Sequence, residues 1–449
     1  MERSLKALVW LYVVLLLVEG ALRKWALPSL ADPLLIVRDP VVLAIYCLAF
    51  ASGRFPLNGF VLAILALAGA SVLFSFAAGQ DNLLVTLYGL RIDYVHLPLI
   101  WVMGRVMTRR DVKRLGTFLL LAALPMTAVM VLQFKSPIFS WINRGIGGDE
   151  GGQIYGADGR IRPPGLFSFI TGPQLYYPLV AAFFLNQLGE RRRLWWPLLA
   201  ACGLAILIAL PVSISRTVML ATGLVGLMFV CCLPFAGAGG GSLLRTLLLL
   251  ALVGVGVSFL PIFRQGREVF MVRWDTAAVG AQGDAWGSLL GRVLAGFTQP
   301  LRVAAETPFF GHGIGVGSNV AARLLAGHTG FLLAEDEWSK DFLELGPLLG
   351  AAFIGFRLAV TVWLGAKALA ALVGRRDNLP ALIFSACAVP LLLDQWAPPT
   401  ILGFAVLGGG LLLAALNEEP EEDEATTDGT EDADGEQEQP AIVDPGVRY

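Results

Sequence analysis

The side chains able to do chemistry in this sequence are mostly arginines. Arg144, Arg160 and Arg162 share one polar stretch, Arg216 stands in Ser213-Ile214-Ser215-Arg216-Thr217, and Arg264, Arg267, Arg273, Arg292, Arg302 and Arg323 share a longer one. A guanidinium is a planar fork of donors that matches phosphate oxygens bidentately and keeps its charge near lipid. Arginines gathered this way suit a phosphate-bearing ligand. The plainer alternative is that they pair with Glu268, Asp275, Asp284 or Glu306, or meet lipid head groups. Glu335, Asp336 and Glu337 follow the last of them. A carboxylate there can draw a proton from a hydroxyl as a general base, or the three can cap the next helix, whose dipole favours them.

Between Arg302 and Arg323 lies Gly311-His312-Gly313-Ile314-Gly315-Val316-Gly317. Glycine at alternate positions lets backbone amides approach an anion closely, or makes a flexible turn. No strand precedes it, so the Gly-x-Gly pattern is not a dinucleotide fingerprint. The three histidines, His96, His312 and His328, lack the i, i+4 spacing of a helical metal site. No metal or cofactor is expected. His96, beside Arg91 and Asp93, reads as a hydrogen-bonded packing residue, and Glu19 with Arg23 as an i, i+4 ion pair that is either purely structural or lines a groove for a lipid carrier. The five cysteines all sit in apolar runs and behave as small hydrophobes.

These groups must be positioned by a membrane-embedded frame. Of the 449 residues 56% are hydrophobic and only 15% charged, and the mean hydropathy is +0.69. A soluble composition is roughly a quarter charged. Apolar runs long enough to cross a bilayer fall at about 5–22, 33–52, 60–78, 86–107, 115–134, 172–189, 194–213, 217–235, 243–263, 341–363, 379–396 and 399–416. Backbone in lipid must satisfy its own hydrogen bonds, so each run is expected to be a helix. The expected fold is an all-α polytopic membrane protein with about twelve transmembrane helices, in a membrane domain over residues 1–416.

Charge orients this frame. With the N-terminus in the cytoplasm, the clusters at Arg105/Arg109/Arg110/Lys113/Arg114, Arg191 to Arg193 and Lys367/Arg375/Arg376 all fall inside, as the positive-inside rule asks. Both termini are then cytoplasmic. Two long external segments remain, about 135–171 and about 264–340, the second between spans nine and ten and without evident helix or strand periodicity. Residues 417–449 carry 13 of the 35 acids and one of the 33 bases, which leaves the membrane body at about +10. This acidic stretch is expected to be a disordered cytoplasmic tail. The expected surroundings are a lipid bilayer, with no nucleic-acid partner.

The layout over about residues 80–416, with two local motifs, resembles the O-antigen ligase and O-antigen polymerase superfamily of bacterial envelope glycosyltransferases. Ser215-Arg216 resembles that family's external arginine after a mid-chain span. The stretch "RVLAGFTQPLRVAAETPFFGHGIGVGS", beginning at Arg292, resembles its arginine followed by Pro-x-x-Gly-x-Gly-x-Gly. The stretch "AEDEWSKDFLELGPLLG" resembles its closing motif, with Glu344, Gly346 and Gly350 in register. Two positions depart from the pattern. The family's histidine and asparagine fall on Glu335 and Asp336, and its tryptophan after the loop arginine is replaced by Phe297.

The resemblance implies a GT-C-like bundle in the bacterial cytoplasmic membrane that polymerises or ligates glycan at its outer face. The donor would be an undecaprenyl-diphosphate-linked glycan and the acceptor a hydroxyl on a glycan or lipid-glycan. The mechanism expected on that basis has Arg216 and Arg292, with Arg302, holding the diphosphate, Glu335 as base, and Arg162, His312, His328 and Asp336 lining the substrate. The alternative is a transporter or a flippase of lipid-linked oligosaccharide; such carriers commonly place the long loop inside, between two halves.

Overall fold

The computed structural model describes residues 1–190, 194–235, 256, 258–279, 285–327 and 332–417. The helices are α1 (Glu2–Ala21), α2 (Asp39–Ala51), α3 (Gly59–Ala77), α4 (Leu83–Leu90), α5 (Leu99–Val106), α6 (Arg109–Lys135), α7 (Thr171–Gly189), α8 (Trp196–Val212) and α9 (Arg216–Cys232). After these come α10 (Pro261–Val279), α11 (Ala285–Glu306), α12 (Glu337–Arg375), α13 (Leu379–Leu392) and α14 (Pro399–Ala415). Their starts are set by polar caps: Asn58, Asn82, Ser215 and Asp336 each accept from an amide of the first turn. Thr108 and Asp111 close a reciprocal capping box on α6.

The protein is an all-α membrane protein by composition and length of its helices. Among the described residues six helical stretches are long and apolar enough to cross a bilayer: Glu2–Ala26, Pro33–Ala51, Gly59–Ala77, Leu83–Val106, Arg109–Lys135 and Glu337–Arg375. Four shorter apolar helices accompany them, Trp196–Val212, Arg216–Cys232, Leu379–Leu392 and Pro399–Ala415. This falls short of the expected twelve spans. The run at 243–263 lies largely outside the described residues, as do Arg191 to Arg193 and the acidic tail. The run at 172–189 does form a helix, α7, but Gln174, Asn186 and Gln187 dilute its hydropathy. It is enclosed by protein, packed by α6, α9, α13 and α14, with Tyr176 and Tyr177 fully buried. A helix enclosed by protein can carry polar side chains that a lipid-facing one cannot. By contrast α3 turns Leu62, Leu65, Leu73 and Phe76 outward.

The segment 264–340, read from the sequence as lacking periodicity, contains two long helices, α10 and α11. The first polar segment is less regular. After α6 the chain makes two 3-10 turns and a small antiparallel hairpin, Tyr155–Ala157 with Arg160–Ile161. Asp158 and Gly159 both take positive φ at its tip, the turn that matches strand twist. This segment is clamped onto the N-terminal helix: Lys24 Nζ donates to the Gly165 carbonyl at 2.8 Å. A Cβ on Gly20 would lie 2.2 Å from the Ser168 nitrogen, so backbone meets helix with no room for a side chain. Arg323 pairs with Asp32 at 3.0 Å, so residues 22–38, 135–171 and 306–327 gather at one end of the bundle. At the other end Arg54 pairs with Glu2, Lys6 with Asp111, and Arg109 with Asp377.

α12 is broken near its start. Gly346 sits at φ 78°, ψ 169° and is followed by Pro347, which separates the polar turns Glu337–Leu345 from the apolar remainder.

Candidate functional site

Three arginines from three elements converge where α8 turns into α9. The hairpin brings Arg162, the first turn of α9 brings Arg216, and α10 brings Arg273. Ser215 fixes the start of α9: its hydroxyl accepts from the Val218 amide at 3.5 Å and from Gln174 Nε2 at 3.1 Å. Arg273 donates to the Gly156 carbonyl at 3.0 Å, which ties α10 to the hairpin. The next residue, Trp274, places its ring 5.8 Å from the Arg216 guanidinium, within cation–π range.

Arg162 is half-buried, and its Nε is buried without a hydrogen-bond acceptor. Burial first, then the charges of Arg273 and Arg216, push its pKa down to about 10. It therefore stays charged at neutral pH while being repelled by its neighbours. Among the described residues no carboxylate pairs with Arg162 or Arg216. The arrangement can take an anion with several oxygens, to which each guanidinium can offer two donors.

Other loop arginines have ordinary roles. Arg144 pairs with Glu150 at 3.0 Å on the surface, and Arg323 with Asp32. Arg160 donates to the Phe134 carbonyl at 2.5 Å and lies 4.3 Å over the Phe134 ring.

The remaining sequence-predicted residues sit elsewhere. Arg302 is exposed on α11. The backbone of Arg292 also belongs to α11, but its side chain, like all of His328, lies outside the described residues. Glu335 is exposed just before α12. Asp336 is the N-cap, accepting from the Ser339 amide at 2.9 Å, so the bland capping role is taken by this one acid of the three. His312 has an exposed side chain, and its amide donates to the Leu343 carbonyl at 2.8 Å. α11 lies against α12, with Phe297 and Trp338 edge to face at 5.3 Å. The structure thus joins Arg162 to Arg216 and adds Arg273. No described contact carries Glu335 or Arg302 to that cluster.

The glycine stretch is neither a flexible turn nor an open cradle. Gly311, Gly313 and Gly315 all have positive φ. The anion its amides approach is the chain's own: Gly315 N donates to Glu344 Oε2 at 3.0 Å and Gly317 N to Glu344 Oε1 at 2.7 Å. Gly313 N reaches the Glu344 carbonyl at 3.0 Å, and Ile314 N reaches Ser75 Oγ at 2.9 Å. The stretch is pinned to the break in α12, where a Cβ on Gly311 would lie 2.4 Å from the Glu344 carbonyl oxygen.

A second group of charges, which sequence reading missed as a group, lies inside the bundle. Asp93, Glu337, Lys340, Asp341 and Arg357 are all at most 1% exposed. Glu337 binds Arg357 at 2.8 Å and Lys340 at 3.1 Å; Asp93 lies 3.6 Å from Lys340 and Asp341 3.6 Å from Arg357. The spacing 337, 340, 341, 344 on one helix face was the available signal. A third group holds the N-terminal helices together. Glu19 bonds Arg23 at 3.4 Å and Arg38 at 3.2 Å. Asp39 bonds Arg91 at 2.5 Å and His96 at 2.9 Å, so His96 packs and hydrogen-bonds.

The chain matches no protein-family model and no curated protein. The functional reading therefore rests on the geometry above and on the motif resemblance.

Proposed function

We propose that this protein is a metal-independent membrane glycosyltransferase of the O-antigen ligase and polymerase kind, with about twelve spans in a GT-C-like arrangement and both termini in the cytoplasm. It joins glycan from an undecaprenyl-diphosphate carrier to an acceptor hydroxyl at the outer face of the bacterial cytoplasmic membrane. The observation that carries this reading is the cluster of Arg162, Arg216 and Arg273, in which two of the three guanidiniums have no carboxylate among the described residues. A second supports it: the two stretches that resemble family motifs, Gly311 to Gly317 and Glu344 to Gly350, dock on each other through the Glu344 carboxylate.

In this reading the arginines grip the diphosphate and stabilise the charge that develops on it as the glycosidic bond breaks. Glu335, left available because Asp336 serves as the cap, takes the proton of the attacking hydroxyl. A single displacement inverts the anomeric carbon. Arg292 and Arg302 come from α11, the helix that lies on α12 near Glu335. The transfer is tested by glycan assembly in cells carrying Arg216→Ala or Arg162→Ala, with the protein quantified in the membrane. We expect product to fall by about 100-fold or more, the scale of losing a charge-stabilising group. Near-normal product from both variants would remove the mechanism.

The buried charges around Glu337 favour a second reading, since ionisable residues inside a helical bundle often mark a transport path. The two readings part on where unprocessed donor accumulates in the Arg216→Ala strain: on the outer leaflet for a transferase, on the inner leaflet for a flippase.

A further inference from the structure

The five buried charges form a row of alternating sign, Asp93, Lys340, Glu337, Arg357, Asp341, with a carboxylate at each end. Three carboxylates face two cations, so the row carries one negative charge too many if every group is ionised. Glu344, one turn beyond Asp341, does not correct this; its own charge is met by the Gly315 and Gly317 amides. An uncompensated carboxylate in such a place costs several kcal/mol and is relieved by taking up a proton.

The two ends are not equivalent. Each nitrogen of Arg357 already donates elsewhere: Nε to the Leu391 carbonyl at 3.1 Å, one terminal nitrogen to Glu337 at 2.8 Å and the other to the Asp394 carbonyl at 2.8 Å. The Lys340 ammonium, in contrast, makes no hydrogen bond of good geometry and stands between Glu337 and Asp93. Among the described residues neither oxygen of Asp93 or of Asp341 receives a hydrogen bond, and each lies 3.6 Å from its nearest cation. The Lys340 beside Asp93 has donors to give, whereas the Arg357 beside Asp341 is engaged. The other charged or titratable groups around it are Glu344 on its own helix, Asp93 and Tyr94 from the segment after α4, and Asp394 from the turn before α14. None of these adds a cation.

We infer that this row is a proton-binding site, with one exchangeable proton held on Asp341. The inference does not depend on the glycosyltransferase reading. Loss of the proton leaves a buried anion beside Glu337 and Asp93 and loosens the first turns of α12 from the segment after α4. The folded state binds one proton that the unfolded chain releases above the ordinary carboxylate range. Stability must therefore fall as pH rises, by at most tenfold in the folded-to-unfolded ratio per pH unit.

The test uses the purified full chain in detergent, comparing the parent with Asp341→Asn, Asp93→Asn and Glu337→Gln. Asparagine copies the shape of a neutral aspartic acid. Asp341→Asn should melt with the parent at neutral pH, lack the alkaline loss of stability, and lose one protonated-carboxyl band in the infrared. Asp93→Asn should keep that band, and Glu337→Gln, which breaks two ion pairs, should melt well below the parent. If Asp341→Asn melts as low as Glu337→Gln or does not fold, the aspartate is an ionised partner of Arg357 and the inference fails. It fails equally if the band survives in Asp341→Asn or vanishes in Asp93→Asn.

Discussion

The cluster at Arg162 and the row at Glu337 treat charge in opposite ways. In the first, like charges from three separate elements are held together, half-open to solvent, with no carboxylate among the described residues for Arg162 or Arg216. In the second, opposite charges alternate in a fully buried line, four of the five on one helix. Alternation is what a fold does to hold itself together: each cation of the row stands between two carboxylates, and only the end one, Asp341, is left in excess. A gathering of one sign is what a fold tolerates when the counter-charge arrives from outside. On the proposed reading the row ties the bundle together and the cluster waits for a ligand, a contrast that can be broken from either side.

The largest expected effect is at the centre of the row. Arg357→Ala removes the cation that binds Glu337 and faces Asp341, and also the guanidinium stacked 3.9 Å over Trp396. Leaving a buried charge without its partner costs about 3–5 kcal/mol. Thermal melting in detergent should show a protein that is strongly destabilised or fails to accumulate. An Arg357→Ala protein with parental melting would mean that the row contributes nothing to the fold.

Next in size is the link between the glycine stretch and α12. Glu344→Gln leaves one oxygen where two amides, Gly315 N and Gly317 N, are now served. A buried donor left without an acceptor costs about 1–3 kcal/mol. Gly311→Ala should cost a similar amount, because its φ is +68° and the new Cβ would meet the Glu344 carbonyl. Limited proteolysis within 306–336 should speed up in both variants. Unchanged cleavage would show that the stretch is held by something other than Glu344.

How much of this was readable beforehand follows from the range of each signal. The apolar helices were legible because bilayer-length hydrophobic runs are a local property, and α1, α3 and α6 fall where hydropathy puts them. Two long helices in 264–340 were overlooked although α11 carries Trp286, Leu289, Leu290, Leu294, Phe297 and Leu301 at helical spacing. The length of the loop masked its periodicity. Glu344 was noticed as part of a motif, but nothing local says that its carboxylate would close on Gly315 and Gly317 at the far side of a loop. The arginine cluster was half-legible. Arg162 and Arg216 were singled out by residue type, while Arg273 joins them through the packing of α10 on α8 and the hairpin, which no neighbouring residue announces.

The smallest effect tests the cluster itself, and its sign is the informative part. Replacing Arg162 by Gln removes a charge that Arg273 and Arg216 repel, and keeps a polar group at a half-buried position. With water screening at this exposure the repulsion relieved is about 0.5 kcal/mol, so the variant should melt slightly higher than the parent in low salt. Inorganic pyrophosphate should then raise the melting temperature of the parent, because an anion that binds only the folded state stabilises it by mass action. It should do so less for Arg162→Gln and least for a variant that also carries Arg216→Ala. Lipid head groups as the natural counter-charge would give a different pattern: anionic lipid in the micelle would stabilise the parent and pyrophosphate would not. If Arg162→Gln melts below the parent with no anion present, the guanidinium is already satisfied within the fold, and the contrast between the cluster and the buried row disappears.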